Sequence, residues 1–447
     1  MSETINSALQ FHIHELKIVT KVGKTDISGM MEEMCIFDSV YKPVVDGYVD
    51  IIDSISMSSK LHFDGSEKII IKISKTKDNP DFIDFSRSFR IYKQSDKIIV
   101  NHSTERYRLH FISEEFVTSN LQTLSHSYNG TYSDAAYSVM INNLNIPTNY
   151  IASFSPSLGV RNIVFPGYKP IEAIQYCARY ALDAFDEKPN FLFFENKFGY
   201  NFISLNELSI QKSIGKIRYE PKNIVSKEDG SVISDFWSAR YLKSIQNYNY
   251  LKGIVQGHFA ATVRSFDPIT GSINSFVSKP ENYLVTTIGG QKANFAKISN
   301  RLGETSFDMS ESKVVSLISS TSTELSEYIK KKDPAFLQKI EPEEKIHLLR
   351  GQIFDHLESK KLKIVLPGNF NITSGLIVDV EVPYFGEKSA SGDNVDVNLS
   401  GKYLIMAVRQ IITYSKHETV FEVATNSLHE DSTNYASTSE QNEEYDP

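Results

Sequence analysis

One stretch near the C-terminal end limits the fold more than any other. From Lys402 to Thr413 the chain reads KYLIMAVRQIIT. In a strand, successive side chains point to opposite faces. Leu404, Met406, Val408 and Ile412 then point one way, and Tyr403, Ile405, Ala407 and Ile411 the other. Both faces are largely apolar. An antiparallel sheet over a single core leaves one face for water, so the second apolar face needs its own cover. A partner protein is one possible cover, in which case a charge at Ile405 or Ile411 weakens assembly. The flanking sequence agrees with a strand of this kind. Leu376, Val378, Val380 and Val382 alternate with Ile377, Asp379 and Glu381, which predicts a half-buried antiparallel strand. Pro367-Gly368-Asn369 before it is turn chemistry, and Pro383 after it stops the strand or puts it at an edge. Tyr414 to Glu418 turns the chain, and Thr419 to Thr425 returns. The expectation is a small β-barrel or sandwich with one oily face.

The chain has 447 residues, enough for about three domains at ~100–200 residues each. Its net charge of −8 offers no basic footprint for capturing nucleic acid. The two cysteines, Cys35 and Cys177, leave one disulfide open and exclude a disulfide scaffold. The opening MSETINSALQ lacks the charged and apolar regions of a signal peptide, and no stretch is long and apolar enough to span a membrane. The expectation is a soluble, reduced, cytoplasmic product.

Along the chain, short alternating runs up to about Phe116 predict an all-β unit. Ser133 to Leu144 predicts a helix with Ser133 as N-cap, and Pro170 to Phe185 a second with Pro170 in its first turn. Ile171, Ile174, Ala178 and Leu182 form the apolar stripe of that second helix. NFLFFEN and YNFISL follow as strands. Gln246 to Asp267 returns to strand character, 324–332 and 343–360 read as helices, and the polar, acidic segment from His429 reads as a disordered tail. There is also an internal echo. GYVDIID, SEKIIIKIS, FRIYK and YRLHFIS occur in the same order as GHFAATVRSFD, GLIVDVEVP, KYLIMAVRQ and TVFEVATNS. The echo suggests one barrel fold used twice.

Candidate chemistry is sparse. His12 and His14 share a strand face, but no carboxylate or cysteine cluster accompanies them to hold a metal. Cys35 and Cys177 read as buried structural thiols. Glu114, Glu115 and Glu195 are the acids considered for glycan hydrolysis, which needs two facing carboxylates. No partner is visible, and they read as solvated or turn carboxylates. Gly289-Gly290 lacks phosphate-loop spacing and reads as a turn. Ser155, Ser157 and Gly159 do not form a nucleophile elbow. Phe193 and Phe194 read as core, and Lys330 to Lys332 as a solvated charge run. No catalytic, cofactor-binding or metal residue is assigned, and no cofactor is expected.

Several patterns together resemble one family. PGYKPIEAIQYCARYAL followed by NFLFFENKFGYNFISLNEL resembles the middle domain of the baseplate central hub protein of contractile-tailed, T-even-type phages. The matching residues are Pro170, Phe193-Phe194-Glu195 and Gly199-Tyr200-Asn201-Phe202. CIFDSVYKPVVDGYVDIIDS resembles the family's first barrel, and LPGNFNITSGLIVDVEVP with LSGKYLIMAVRQII the close of its second. The hub part of type VI secretion spike proteins has the same fold.

The resemblance implies a β-rich α+β chain with two similar small antiparallel barrels joined by an α+β middle domain. The expected division is 1–116, 117–240 with 275–345, 241–274 with 346–428, and an acidic tail over 429–447. It implies a homotrimeric virion structural protein in the tail baseplate, made in the host cytoplasm. Its ring of six barrels would adapt the six-fold tail tube to the three-fold spike around a channel for DNA. Tail spike, tail tube and other baseplate proteins are the implied partners, with no specific nucleic-acid binding and no membrane insertion. The competing class is a tail-associated cell-wall hydrolase or carbohydrate-binding tail protein.

Overall fold

The computed structural model describes residues 11–21, 23–57, 63–75, 83–219, 237–246, 250–257, 260–266, 273–278, 287–290, 314–318, 343–383, 395–396 and 398–426. The helix expected over 324–332, Lys330 to Lys332 and the acidic tail lie outside these residues.

The N-terminal part is strands: β1 His12–Val19, β2 Lys24–Asp26, β3 Met31–Ser39, β4 Asp46–Asp53, β5 Lys68–Ser74, β6 Phe85–Asn101 and β7 Thr104–Ile112. Their alternation places the core. On β5, Ile69, Ile71 and Ile73 are fully buried, while Lys68, Ile70 and Lys72 are not. The three isoleucines pack with Phe89, Tyr107, Leu109 and Phe111. Hydrogen bonding runs in the order β2–β1–β5–β6–β7–β4–β3, antiparallel throughout.

The middle of the chain is α+β. It holds α1 Glu114–Asn120, β8 Leu124–Gly130, α2 Tyr132–Asn142, β9 Ile151–Phe154, β10 Ser157–Leu158, β11 Arg161–Tyr168, α3 Pro170–Tyr180, β12 Leu182–Asp183, β13 Phe191–Asn196, β14 Gly199–Ser204 and α4 Leu205–Ser209. Helix α2 is capped by Thr131, not Ser133. The Thr131 hydroxyl accepts from the Asp134 amide, and the Asp134 carboxylate accepts from the Thr131 amide. That reciprocal box satisfies two end amides at once. Ser133 instead exchanges hydrogen bonds with Ser157. Helix α3 has Pro170 in its first turn but stops at Tyr180, short of the expected Phe185. Ala181 is extended, and Leu182 with Asp183 pairs onto β10. Helices α2 and α3 bury Val139, Met140, Ile174 and Cys177 against Phe165, Phe191 and Phe202.

The C-terminal part holds β15 Lys216–Tyr219, β16 Ser238–Ala239, β17 Tyr241–Gln246, α5 Tyr250–Gln256, β18 Ala261–Phe266, β19 Ile273–Ser278, β20 Val314–Ile318, α6 Glu343–Leu357, β21 Lys360–Pro367, β22 Ile377–Glu381, β23 Gly401–Thr413 and β24 His417–Thr425. Expected boundaries shift here. Tyr250–Gln256 is a helix within the stretch read as strand, and β18 pairs with β19 and β20 in a sheet of its own. Strands β15 and β16, expected in the middle unit, instead join β21–β24. Helix α6 stops at Leu357, short of the expected Lys360, and Lys360 opens β21.

The pairing order of this second set is β16–β15–β22–β23–β24–β21–β17. It repeats the first set slot for slot, with β15 in the place of β1, β22 of β5, β23 of β6, β24 of β7 and β21 of β4. The outer strands also match. Ile27 to Met30 link β2 to β3, and Arg240 alone links β16 to β17. Three of the four echoed sequence pairs fall in matching slots. The fourth does not, because the slot of β4 is filled by β21 and not by residues 257–267. One strand differs in sense: β15 is parallel to both neighbours, whereas β1 is antiparallel to both. A cross-strand ion pair recurs with its charges exchanged. Lys72 on β5 meets Glu15 on β1, and Glu381 on β22 meets Lys216 on β15.

Strand β3 pairs with β23 and so joins the two sets into one sheet of 14 strands. The chain is therefore strand-rich and organised on one large sheet. It also supplies the cover for the second apolar face. Leu404 and Met406 pack on Phe194 and Leu205 of the middle unit and on Leu349 and Ile353 of α6, while Tyr403, Ile405 and Val408 face Ile364, Ile372 and Val423. Ile405 is fully buried inside the second set. A partner protein, one possible cover for this strand, is not needed for these side chains: their cover is intramolecular, because residues distant in sequence fold over them.

Gly47 sits where β4 crosses beneath Phe111 and beside the Cys35 carbonyl. A Cβ there would stand 2.5 Å from Phe111 Cζ. Overpacking a well-filled core costs ~1–3 kcal/mol, so Gly47→Ala should lower stability by about that amount in urea unfolding.

Candidate assembly interface

The seam between the two sets is built by backbone and sealed by side chains. Strands β3 and β23 run antiparallel from Ser39 opposite Ala407 to Glu33 opposite Thr413. At its N-terminal end β23 pairs instead with β22, from Gly401 to Leu404. Between these two partners the register of β23 against β24 shifts at Met406. The extra residue of such a bulge bends a strand and re-aims its edge. Here the Met406 carbonyl accepts from the Val40 amide at 2.9 Å and the Ser39 hydroxyl at 3.1 Å. Farther along, the Arg409 guanidinium reaches back over β3, 3.0 Å from the Tyr48 hydroxyl and 3.3 Å from Cys35 Sγ.

A buried charge pair ties the seam to the middle unit. Glu195 is 1% exposed. Its carboxylate accepts from Arg87 at 2.6 Å, from the Val45 amide at 2.7 Å and from the Ser113 hydroxyl at 2.5 Å. Arg87 also donates to the Asn196 carbonyl and lies over the Tyr150 ring. Burial works against the Arg87 charge, but Glu195 more than restores it and lifts its pKa above the ordinary value. Burial likewise favours the neutral form of Glu195. Three converging donors, one a full cation, hold it as the carboxylate. This corrects the reading of Glu195 as a solvated acid. The charge is carried inward on a strand whose six residues are all buried, FLFFEN.

Beside this pair is Asp38, on β3 opposite Val408 of the seam. Its Oδ2 accepts from the Thr373 hydroxyl, and its Oδ1 is buried without a hydrogen-bond partner. Burial pushes its pKa up to about 7. A cavity of about 20 Å³ lies here, lined by Ile36, Asp38, Arg87, Lys197, Thr373 and Gln410 among others. That is room for about one water molecule. His417 is also fully buried. It shares a hydrogen bond with Gln410 at 2.9 Å, and burial holds its pKa well below the usual value, so it is neutral.

The other sequence candidates are dispersed. Glu114 opens α1 and pairs with Lys68 and Arg90. The Tyr200 hydroxyl donates to Glu115 at 3.3 Å. His12 and His14 stack edge to face, and His14 bonds Ser74. Cys35 and Cys177 are buried, free thiols. Phe193 and Phe194 are core, each in a different cluster. Ser155 bonds Glu207 and Ser157 bonds Ser133. Gly289 lies in a short 3-10 turn whose Ile288 amide donates to Asn426. Among the described residues, no three His, Cys, Asp or Glu side chains gather to hold a metal, and no helix is long and apolar enough to cross a membrane.

No protein-family model matches the chain, and no curated protein matches it in sequence. Solved structures do match. A tail protein from Neisseria meningitidis aligns over 94% of this chain and 98% of its own, with TM-score 0.52 and 10% identity. A prophage tail protein from Shewanella oneidensis aligns over 92% and 97%, with TM-score 0.52 and 8% identity. A type VI secretion system component from E. coli aligns over 94% and 77%, with TM-score 0.42 and 8% identity. The chain has the fold of the two tail proteins along nearly its whole length.

Removing one partner of a buried ion pair costs about 3–5 kcal/mol. Glu195→Ala should therefore lower unfolding free energy by that order, read by urea denaturation. Asp38 predicts a pH effect of defined sign. Its folded pKa of about 7 stands above the ordinary aspartate value of 3.8, so the folded state holds the extra proton between them and its contribution to stability falls as pH rises across that window. Asp38→Asn should gain in melting temperature relative to the parent from pH 4 to pH 7, and the gain should level off above.

Proposed function

We propose that the chain is a structural component of a contractile phage tail baseplate. In this reading it is a homotrimeric central hub whose six like units form a ring between a six-fold tail tube and a three-fold spike, leaving a channel for DNA. The observation that carries the reading is the repeat of one strand order in two halves, joined strand to strand by β3 and β23. Each half is then a small barrel, in which β2 and β3 are two parts of one bent strand and β16 and β17 are two parts of another. The first barrel ends near residue 116, and the second takes β15 to β17 together with β21 to β24. Three copies of a duplicated chain give pseudo-six-fold symmetry, whereas a single barrel needs six copies. The likeness to two tail proteins along nearly the full length supports the same reading. The role needs no catalysis and no cofactor, and its setting is the virion tail, among spike, tube and other baseplate proteins.

Light scattering on the purified protein, alone and with its spike, tests the oligomer. A trimer is expected, and a chain that stays monomeric with its spike ends the hub reading. The channel makes a second demand. Each phosphate a lumen neutralises releases counterions and adds affinity, so a basic lumen grips DNA. The lysines of β5 and β15 are already answered: Lys68 by Glu114, Lys72 by Glu15 and Lys216 by Glu381. Mobility-shift titration should show no duplex DNA binding at physiological salt. Tight binding that survives that salt excludes a passive conduit.

A further inference from the structure

Strands β6 and β23 correspond residue by residue up to their first bulge. Lys68, the first residue of β5, pairs with Arg90, and Ile377, the first residue of β22, pairs with Leu404. One residue later Ile91 lies opposite Phe111, as Ile405 lies opposite Val423. Each strand then shifts register by one residue, at Tyr92 and at Met406. Strand β6 shifts again between Ser95 and Ile98 and between Ile99 and Asn101, so beyond Tyr92 the match to β23 is taken through β7 and β24. Beyond its bulge, β23 turns the edge released by β22 towards β3, residues Ala407 to Thr413. Beyond its own bulge, β6 runs on to Asn101 paired only with β7. Among the described residues, no strand pairs with its other edge. The side chains differ in the same sense. Val408 and Ile412 are buried at the seam, whereas Ile98, Ile99 and Val100 are 54%, 71% and 60% exposed.

The partner slot repeats as well. Strand β3 pairs with β4 on one edge and β23 on the other. Its counterpart β17 pairs with β21 on one edge, and among the described residues its second edge meets no strand. Tyr241 and Ile245 on it are 49% and 46% exposed. One chain thus holds the β3–β23 junction complete and carries both halves of a second junction, unmated among the described residues, on opposite units.

We propose that β17 of one copy pairs antiparallel with β6 of the next, beyond Tyr92, repeating in trans the seam that β3 and β23 make in cis. The proposal rests on the trimer reading and names the surfaces that close it. An unpaired edge is a ready template for a further strand. The two edges lie on different surfaces, so the contact is head-to-tail and closes only as a ring. The register carries over from the cis seam. Cys35 lies opposite Ile411 there. Through the shared pairing with β4 or β21, Lys243 takes the place of Cys35, and through β7 or β24, Ile98 takes the place of Ile411. Ile98 should therefore face Lys243 of the neighbouring copy.

A chain carrying both Ile98→Cys and Lys243→Cys tests this. Both positions lie outside the cores, and the native thiols are buried. Mild oxidation of the assembled protein should give a covalent product of three chains, and either single variant should give none. Ile99→Lys, on the bare edge, should shift the assembly towards monomer without changing the melting temperature of the monomer. A trimer by light scattering that forms no cross-link overturns this pairing and leaves the hub reading standing. A cross-linked ladder beyond three chains overturns the closed ring. A monomer without cross-link overturns both.

Discussion

Strand β23 has only two edges, and three strands share them. One edge belongs to β24 along most of its length, and the other passes from β22 to β3 at the Met406 bulge. Backbone donors and acceptors buried in a sheet have to be paired. The change of partner therefore fixes where one half of the molecule ends and the next begins. Without the bulge, the edge that meets β3 would continue along the line of β22 and the two halves would not meet as one sheet. The apolar groups on both faces of β23 follow from that position, with the second-half core beneath it and the middle unit with α6 above.

The charges at the junction work with this backbone arrangement. Glu195 comes from the middle unit, Arg87 from the first half, and Val45 and Ser113 flank the strands β4 and β7. A buried ion pair is a poor source of net stability, because desolvation consumes most of the attraction. It is a strict condition on geometry, since moving either element leaves a charge unanswered in the interior. Asp38 and Thr373 add a neutral-leaning contact across the same place.

Much of this was legible in the sequence, for reasons that differ by element. Period-two alternation exposed β5, β22 and β23 because each has a buried face. The stripes of α3 and α6 were equally plain, and their ends were not: Ala181 and Lys360 leave the helix for pairings with distant strands. The doubly apolar β23 was visible, but its cover was not, since Phe194 and Ile353 come from remote parts of the chain. Strand β21 was missed as the match for β4, because a slot in a sheet is set by its neighbours and not by local pattern. The same is true of the reversed direction of β15. Glu195 looked like any surface acid. The one signal was its place in FLFFEN, an apolar run where a charge has to find a partner. The edges of β6 and β17 that no described strand pairs have no local signature, and only the comparison of registers brings them out.

The exchanged ion pairs on β1, β5, β15 and β22 bear on how a chain with two like halves keeps them apart. During folding, a strand of one half could enter the matching slot of the other. With β22 beside β1, Glu381 would sit opposite Glu15; with β5 beside β15, Lys72 would sit opposite Arg218, the register partner of Glu381, and diagonal to Lys216. Like charges directly across a strand pair are destabilising. Each crossed pairing therefore sets like charges where the correct one sets opposite charges, which disfavours exchange of strands between the halves.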